Sequence, residues 1–132
     1  MPWHPWLVPR ENYFAVEDFG CIHQGLLTEN KLTLDSRIYM FAKFHAKAGK
    51  EAELRARLLE MVAHTTKEEG CVFYNLHVDF EESDIFYFME CWKNQAALDF
   101  HMDTPYVKAI LRDSDELTSD GIGISYMKLI GA

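Results

Sequence analysis

The chain has 132 residues, 48% of them hydrophobic, and a formal charge of −8 from 21 acidic against 13 basic side chains. That length buries one core and not two full domains, and the absence of a Lys/Arg cluster excludes a nucleic-acid partner, whose binding depends on concentrated positive charge. The three cysteines, Cys21, Cys71 and Cys91, are odd in number and lack metal-ligand spacing, as expected of reduced thiols in a cytoplasmic protein.

Residues 1–37 read as an arm. Pro2, Pro5 and Pro9 exclude a helix at the start. Trp3, Trp6, Tyr13, Phe14 and Phe19 are nevertheless too many large apolar groups to stay hydrated, so the arm is expected to pack on the domain or a partner subunit, or to close over a pocket. Leu26-Leu27-Thr28 and Lys31 to Leu34 flank Glu29-Asn30 as a small hairpin. The start lacks a basic segment followed by an apolar run, and no apolar run approaches ~18 residues, so neither a signal peptide nor a membrane span is expected.

The main domain is expected over 38–132. Ile38 to Ala46 alternates and is rich in Ile, Tyr and Phe, which predicts a strand. After the turn Lys47 to Lys50, Leu54, Leu58, Met61, Val62 and Thr65 recur at helical spacing, which predicts an amphipathic helix from Glu51 to Lys67. Gly70 is expected to end it in the left-handed conformation. Cys71 to Phe80 and Ile85 to Trp92 are β-branched and aromatic on either side of Glu81-Glu82-Ser83-Asp84, the pattern of a β-hairpin.

Setting Phe80 opposite Ile85 divides this hairpin by the period-two rule. One face would carry Phe73, Asn75, His77 and Asp79 beside Trp92, Glu90, Phe88 and Phe86, a mixture suited to a pocket wall. The other would carry Tyr74, Leu76, Val78 and Phe80 beside Cys91, Met89, Tyr87 and Ile85, suited to a core or subunit interface. Asn94 then caps a short helix running to His101, and Thr104-Pro105 starts another to Leu111. A polar loop from Asp113 to Asp120 leads into a last strand, Ile122 to Ile130.

The order strand, helix, strand, strand, short helices, strand is that of an α+β, ferredoxin-like split β-α-β fold with a four-stranded antiparallel sheet. Its helices cover one side, and a second copy of the chain is the simplest cover for the other.

These residues resemble the antibiotic biosynthesis monooxygenase (ABM) domain of the dimeric α/β-barrel superfamily. The resemblance rests on Gly49 before the helix, Glu69-Gly70-Cys71 followed by Tyr74, His77 and Asp79, then Glu90-x-Trp92, Ala97-Leu98, His101 and Thr104-Pro105. It implies a homodimer that oxygenates a small phenolic, quinol or polyketide-like substrate without flavin, haem or metal. The substrate, once deprotonated, donates an electron to dioxygen while the protein orients it and stabilises the anion. The haem-degrading branch has an Asn where this chain has Ala42 and an axial histidine where it has Leu111; the quinone-forming members have an Asn where it has Phe88. Haem degradation is therefore disfavoured, and the quinone-forming activity does not carry over.

Within that resemblance His101, His77 and Trp92 are the candidate catalytic residues, and Phe86, Phe88, Asn75, Glu90 and Tyr74 the candidate substrate contacts, with no cofactor or metal ligands. Each also has a structural reading. Either histidine titrates near neutral pH but is equally suited to a hydrogen-bonded packing role. Trp92 buries a large flat surface in a pocket wall or a core alike. The alternative function is a non-catalytic or other-activity dimeric α/β-barrel protein, a small-molecule binder or isomerase, since fold does not fix function.

Overall fold

Every second side chain of Ile38–Ala46 is buried from Met40 onward, namely Met40, Ala42, Phe44 and Ala46, and the segment forms strand β1. A computed structural model describes residues 36–132. The arm, apart from Ser36 and Arg37, lies outside the described residues with its proposed hairpin and aromatic contacts. A turn through Gly49, whose φ of 84° suits a residue without Cβ, leads into helix α1, Glu51–Thr65. Leu54, Leu58, Met61 and Thr65 form its buried stripe. Strands β2 (Cys71–Val78) and β3 (Ile85–Trp92) follow, then helices α2 (Gln95–Met102), α3 (Pro105–Arg112) and the short α4 (Ser114–Leu117), and strand β4 (Thr118–Met127).

All strand pairs are antiparallel, in the order β2-β3-β1-β4. This is the expected ferredoxin-like sheet. Met40, Ala42, Phe44, Tyr74, Phe86, Phe88 and Trp92 on one side form a single core with Leu54, Leu58 and Met61 of α1, Leu98 of α2 and Val107 and Ile110 of α3. No helix of the described residues is long and apolar enough to cross a membrane.

The hairpin register differs from the expected one by a residue. Val78 pairs with Phe86, and the Asp79 N–H donates to the Ile85 carbonyl at 2.8 Å, so Asp79 rather than Phe80 closes the loop. The cause is the Asp79 carboxylate, which accepts hydrogen bonds from the Glu81 and Glu82 amides and from the Tyr87 hydroxyl. A one-residue slip exchanges faces. Tyr74, Leu76 and Val78 therefore share the helix-covered side with Phe86, Phe88, Glu90 and Trp92, and Asn75 opposes Met89 rather than Glu90. The side without helices carries Tyr39, Phe41, Phe73, Tyr87 and Met89, with Asn75 and His77 exposed. The pocket wall joining Trp92 to Asn75 and His77 does not form, and Tyr74 belongs to no open apolar patch.

Three further expectations are corrected. Gly70 is not left-handed, the positive-φ glycines among the described residues being Gly49 and Gly121. A Cβ at position 70 would instead lie 2.2 Å from the Ala97 Cβ. The position requires close approach, not an unusual backbone. The loop after Asp113 contains α4, and β4 begins at Thr118, four residues earlier than expected, because Thr118 can pair with Ala46 past an irregularity in the β1–β4 ladder. Finally, the Thr104 hydroxyl does not cap α3; it donates to the His101 carbonyl at the end of α2.

Candidate active site

Helix α2 starts where the Asn94 side chain accepts the Ala97 N–H, as expected of an N-cap. Its buried residues, Leu98 and His101, are three apart and so lie on one face, turned to the sheet. The His101 ring meets the Trp92 indole with centroids 4.3 Å apart and the Tyr74 ring at 5.5 Å. Trp92 in turn donates its Nε1–H to Glu90 Oε2 at 3.0 Å. Glu90 and Trp92 are two apart on β3 and therefore share the helix-covered face, with Tyr74 directly across from Glu90.

The third participant comes from the turn that follows α1. Glu68 Oε2 lies 2.9 Å from His101 Nδ1 and accepts the Tyr106 hydroxyl of α3. Gly70 makes this convergence possible: without a side chain there, the turn after α1 closes onto Ala97, and the Lys93 N–H donates to the Gly70 carbonyl at 3.0 Å. His64 stacks on Tyr106 from the outside, with centroids 5.1 Å apart.

Burial sets the charge states. It lowers the His101 pKa below the ordinary histidine value, with the Glu68 hydrogen bond and charge acting in the opposite sense. The imidazole is therefore neutral at pH 7. Glu90 is pushed up to about 7, mainly by burial and also by the Glu68 charge, against the opposing Trp92 hydrogen bond. Tyr74 is raised far above the tyrosine range by burial and the Glu90 charge, so its phenol stays protonated. Tyr106 is raised to about 12, first by burial and then by its bond to Glu68. Among the described residues, Glu68 Oε1 is a buried side-chain oxygen without a hydrogen-bond partner.

Of the residues proposed from the sequence, the fold gathers Trp92, His101, Glu90, Tyr74 and Phe88, leaves Phe86 in the same core but about 20 Å along β3 from Trp92, and places His77 and Asn75 on the other face. The cluster is closed: Trp92 is 0% and His101 2% exposed. A groove of about 480 Å³ along α2 is lined by Ile38, Leu98, Met102 and Tyr126 among others. Ile38 is the β1 partner of Trp92, so this groove abuts the indole layer. A smaller hollow of about 180 Å³ between α1 and α3 is lined by Arg57, Glu60, His64 and Tyr106. Among the described residues no cluster of three or more His, Cys, Asp or Glu could hold a metal ion.

The sequence profile of the family described as antibiotic biosynthesis monooxygenase matches residues 37–113. The chain belongs to this family. Its ABM domain spans β1 through the end of α3 and contains the whole Trp92–His101–Glu68 cluster. Uncharacterized protein sll1783 of Synechocystis is 30% identical over 103 residues, covering 78% of this chain and 70% of that protein. Putative monooxygenase YcnE of Bacillus subtilis is 30% identical over 82 residues, 62% of this chain and 86% of that one. Among solved structures, PA3566 of Pseudomonas aeruginosa superposes with a TM-score of 0.68 at 28% identity, over 73% of this chain and 96% of its own. A structure described as an antibiotic biosynthesis monooxygenase gives a TM-score of 0.66 at 23% identity, over 71% of this chain and 99% of its own, a likeness of fold.

Glu68 and Tyr106 were not singled out from the sequence. A usable signal existed for the first: a carboxylate at the C-terminal end of a helix opposes the macrodipole, so it needs a partner elsewhere. For Tyr106, one aromatic on a short amphipathic helix, no local pattern distinguishes a hydroxyl bonded across the fold from simple packing.

Proposed function

We propose that this chain is an ABM-type monooxygenase that oxidises a small phenolic, quinol or polyketide-like substrate without a bound cofactor, using the helix-covered interior around Trp92 and His101. The observation that carries the reading is the buried polar cluster itself. A core needed only for packing has no use for two carboxylates and an imidazole, because burying polar and charged groups costs free energy that apolar side chains do not. A neutral imidazole beside a broad aromatic surface is suited to taking a phenolic proton as the anion forms. His101 is the proposed base, Trp92 the stacking surface, Tyr74 and Glu90 the polar wall, and Phe88 the apolar floor; Phe86 lies too far along β3 to touch the same substrate. His77 and Asn75 have no part in this site. The groove along α2 is the proposed entrance, since Leu98 in its wall is one turn before His101.

We also infer that the open sheet face pairs with a second copy of the chain. Tyr39, Phe41, Phe73, Tyr87 and Met89 are partly buried aromatic and apolar groups on a sheet face without helices, a patch that favours association over hydration. A monomer at micromolar concentration by light scattering contradicts this. The thiols of Cys71 and Cys91, both free, suit a cytoplasmic location.

One observation favours the second reading, a binder or protein of other activity: Trp92 and His101 are buried, and neither lines the groove along α2 or the hollow between α1 and α3. Metal-free oxygen uptake with a panel of hydroquinones and hydroxynaphthoquinols decides between the two. Uptake by the wild-type protein that Trp92→Ala weakens through KM and His101→Ala through kcat supports the enzyme. Failure to oxidise any member moves the binding reading ahead.

A further inference from the structure

Glu68 is an expensive residue to keep. Its side chain is 5% exposed, it lies in the turn just past the C-terminus of α1, and among the described residues no Lys or Arg pairs with it. One of its oxygens, Oε1, is buried with no hydrogen-bond partner, which adds a desolvation cost. The other, Oε2, receives both of its contacts: His101 Nδ1 at 2.9 Å and the Tyr106 hydroxyl. Two donors converging on one oxygen is the arrangement an ionised carboxylate supports, because a carboxylate accepts and an imidazole N–H and a phenol O–H donate.

We propose that Glu68 is the positioning residue of the site, holding the neutral His101 ring in the tautomer that carries its proton on Nδ1 and thereby leaving Nε2 with a free lone pair. This rests on reading His101 as the base. The ring nitrogens are chemically distinct, and the hydrogen bond made by one determines what the other can do. A neutral imidazole with the proton on Nε2 offers that nitrogen only as a donor and cannot accept a phenolic proton there. Tyr106 completes the device. By donating to the same oxygen it fixes the carboxylate's orientation and withdraws some of its charge from His101, which keeps the imidazole neutral. Thr104, bonded to the His101 carbonyl at 2.6 Å, holds the end of α2 in place.

Other titratable groups surround the ring: Tyr74 from β2, Glu90 of β3 behind Trp92, Cys71 at the start of β2, and His64 of α1 beyond Tyr106. Tyr74 and Cys71 stay protonated through neutral pH, Cys71 being raised to about 11 chiefly by burial. The group that confounds a titration of His101 is therefore Glu90, which is intact in the two variants below.

The test is nitrogen-15 NMR of the full chain, titrated without substrate, on wild type, Glu68→Gln and Tyr106→Phe. In the wild type His101 shows a protonated Nδ1 and an unprotonated Nε2. Removing the Glu68 charge lowers the His101 pKa by about one unit or more and abolishes the tautomer preference. Tyr106→Phe returns the full carboxylate charge to His101, so its pKa rises while the Nδ1–H tautomer stays. Should Glu68→Gln fail to fold, the direction of the Tyr106→Phe shift still decides. A wild-type ring protonated on Nε2, or a titration unchanged in Tyr106→Phe, overturns the proposal. Because these readings need no turnover, they stand apart from the fate of the monooxygenase assignment. Where a quinol is oxidised, Glu68→Gln lowers kcat about tenfold or more with little change in KM, and equal turnover in this variant overturns the catalytic half of the proposal.

Discussion

On the helix side of the sheet Trp92, Phe88 and Phe86 are sealed with a histidine and two carboxylates among them, and burial displaces the pKa of His101 and Glu90 in opposite directions. On the other side Tyr39, Phe41, Phe73 and Tyr87 are only partly covered, and the polar residues Asn75 and His77 face outward. Residue types are similar on the two faces. Environment separates them: the imidazole in the sealed layer is held neutral and oriented by burial and its hydrogen bond, and the one on the open face is exposed. Substitutions placed on one face and then the other test that contrast.

The largest expected effect on stability is Trp92→Ala, which removes a fully buried indole and destabilises by about 3–5 kcal/mol in chemical denaturation. His77→Ala on the opposite face is expected to change it by less than about 0.5 kcal/mol. Comparable losses would mean that the open face is as tightly packed as the closed one.

Next is the pH dependence contributed by Glu90. Its folded-state pKa of about 7 lies above the carboxylate value of 4.5, so between these pH values the folded chain holds a proton that the unfolded chain releases. Glu90 therefore stabilises most below pH 4.5, and that stability is lost as pH rises toward 7, on the order of 3 kcal/mol. His101 acts oppositely. Its lowered pKa means the unfolded chain takes up a proton first as pH falls below the ordinary histidine value, which costs stability on the acid side. Glu90→Gln should remove the first slope and keep the second, as read from denaturant midpoints at pH 5 and pH 7. A wild-type and variant difference that stays constant between those pH values would show that Glu90 is ionised in the folded chain.

Gly70→Ala is expected to cost about 1–3 kcal/mol, because the added methyl must push against Ala97. Ala97→Gly in the same chain should recover part of the loss. Absence of any recovery would place the cost in the backbone of the turn, not in the approach of the turn to α2.

The element order was legible because each element has its own period: Leu54, Leu58, Met61 and Thr65 mark one stripe of a helix, and β1 and β3 have the predicted ends. The faces of the hairpin were not. Residues on both sides of Glu81 to Asp84 are apolar enough for either register, and the choice is made by the Asp79 carboxylate binding amides two and three residues ahead. That slip placed His77 and Asn75 beside Trp92 in the sequence reading and hid the relation of Tyr74 to Glu90. The partners of His101 were hidden for another reason. Glu68 is 33 residues from His101 and Tyr106 is 38 from Glu68, and only the packing of α1, α2 and α3 on one sheet brings them together.

The most direct measurement is oxygen uptake by His101→Ala and His77→Ala beside the wild type, on whichever hydroquinone or hydroxynaphthoquinol the wild type oxidises, with both variants first shown to be folded. A site in the helix-covered layer predicts that His101→Ala lowers kcat by roughly 10²-fold or more while His77→Ala turns over at the wild-type rate. Full turnover by His101→Ala together with loss in His77→Ala would contradict it and move the chemistry to the open face.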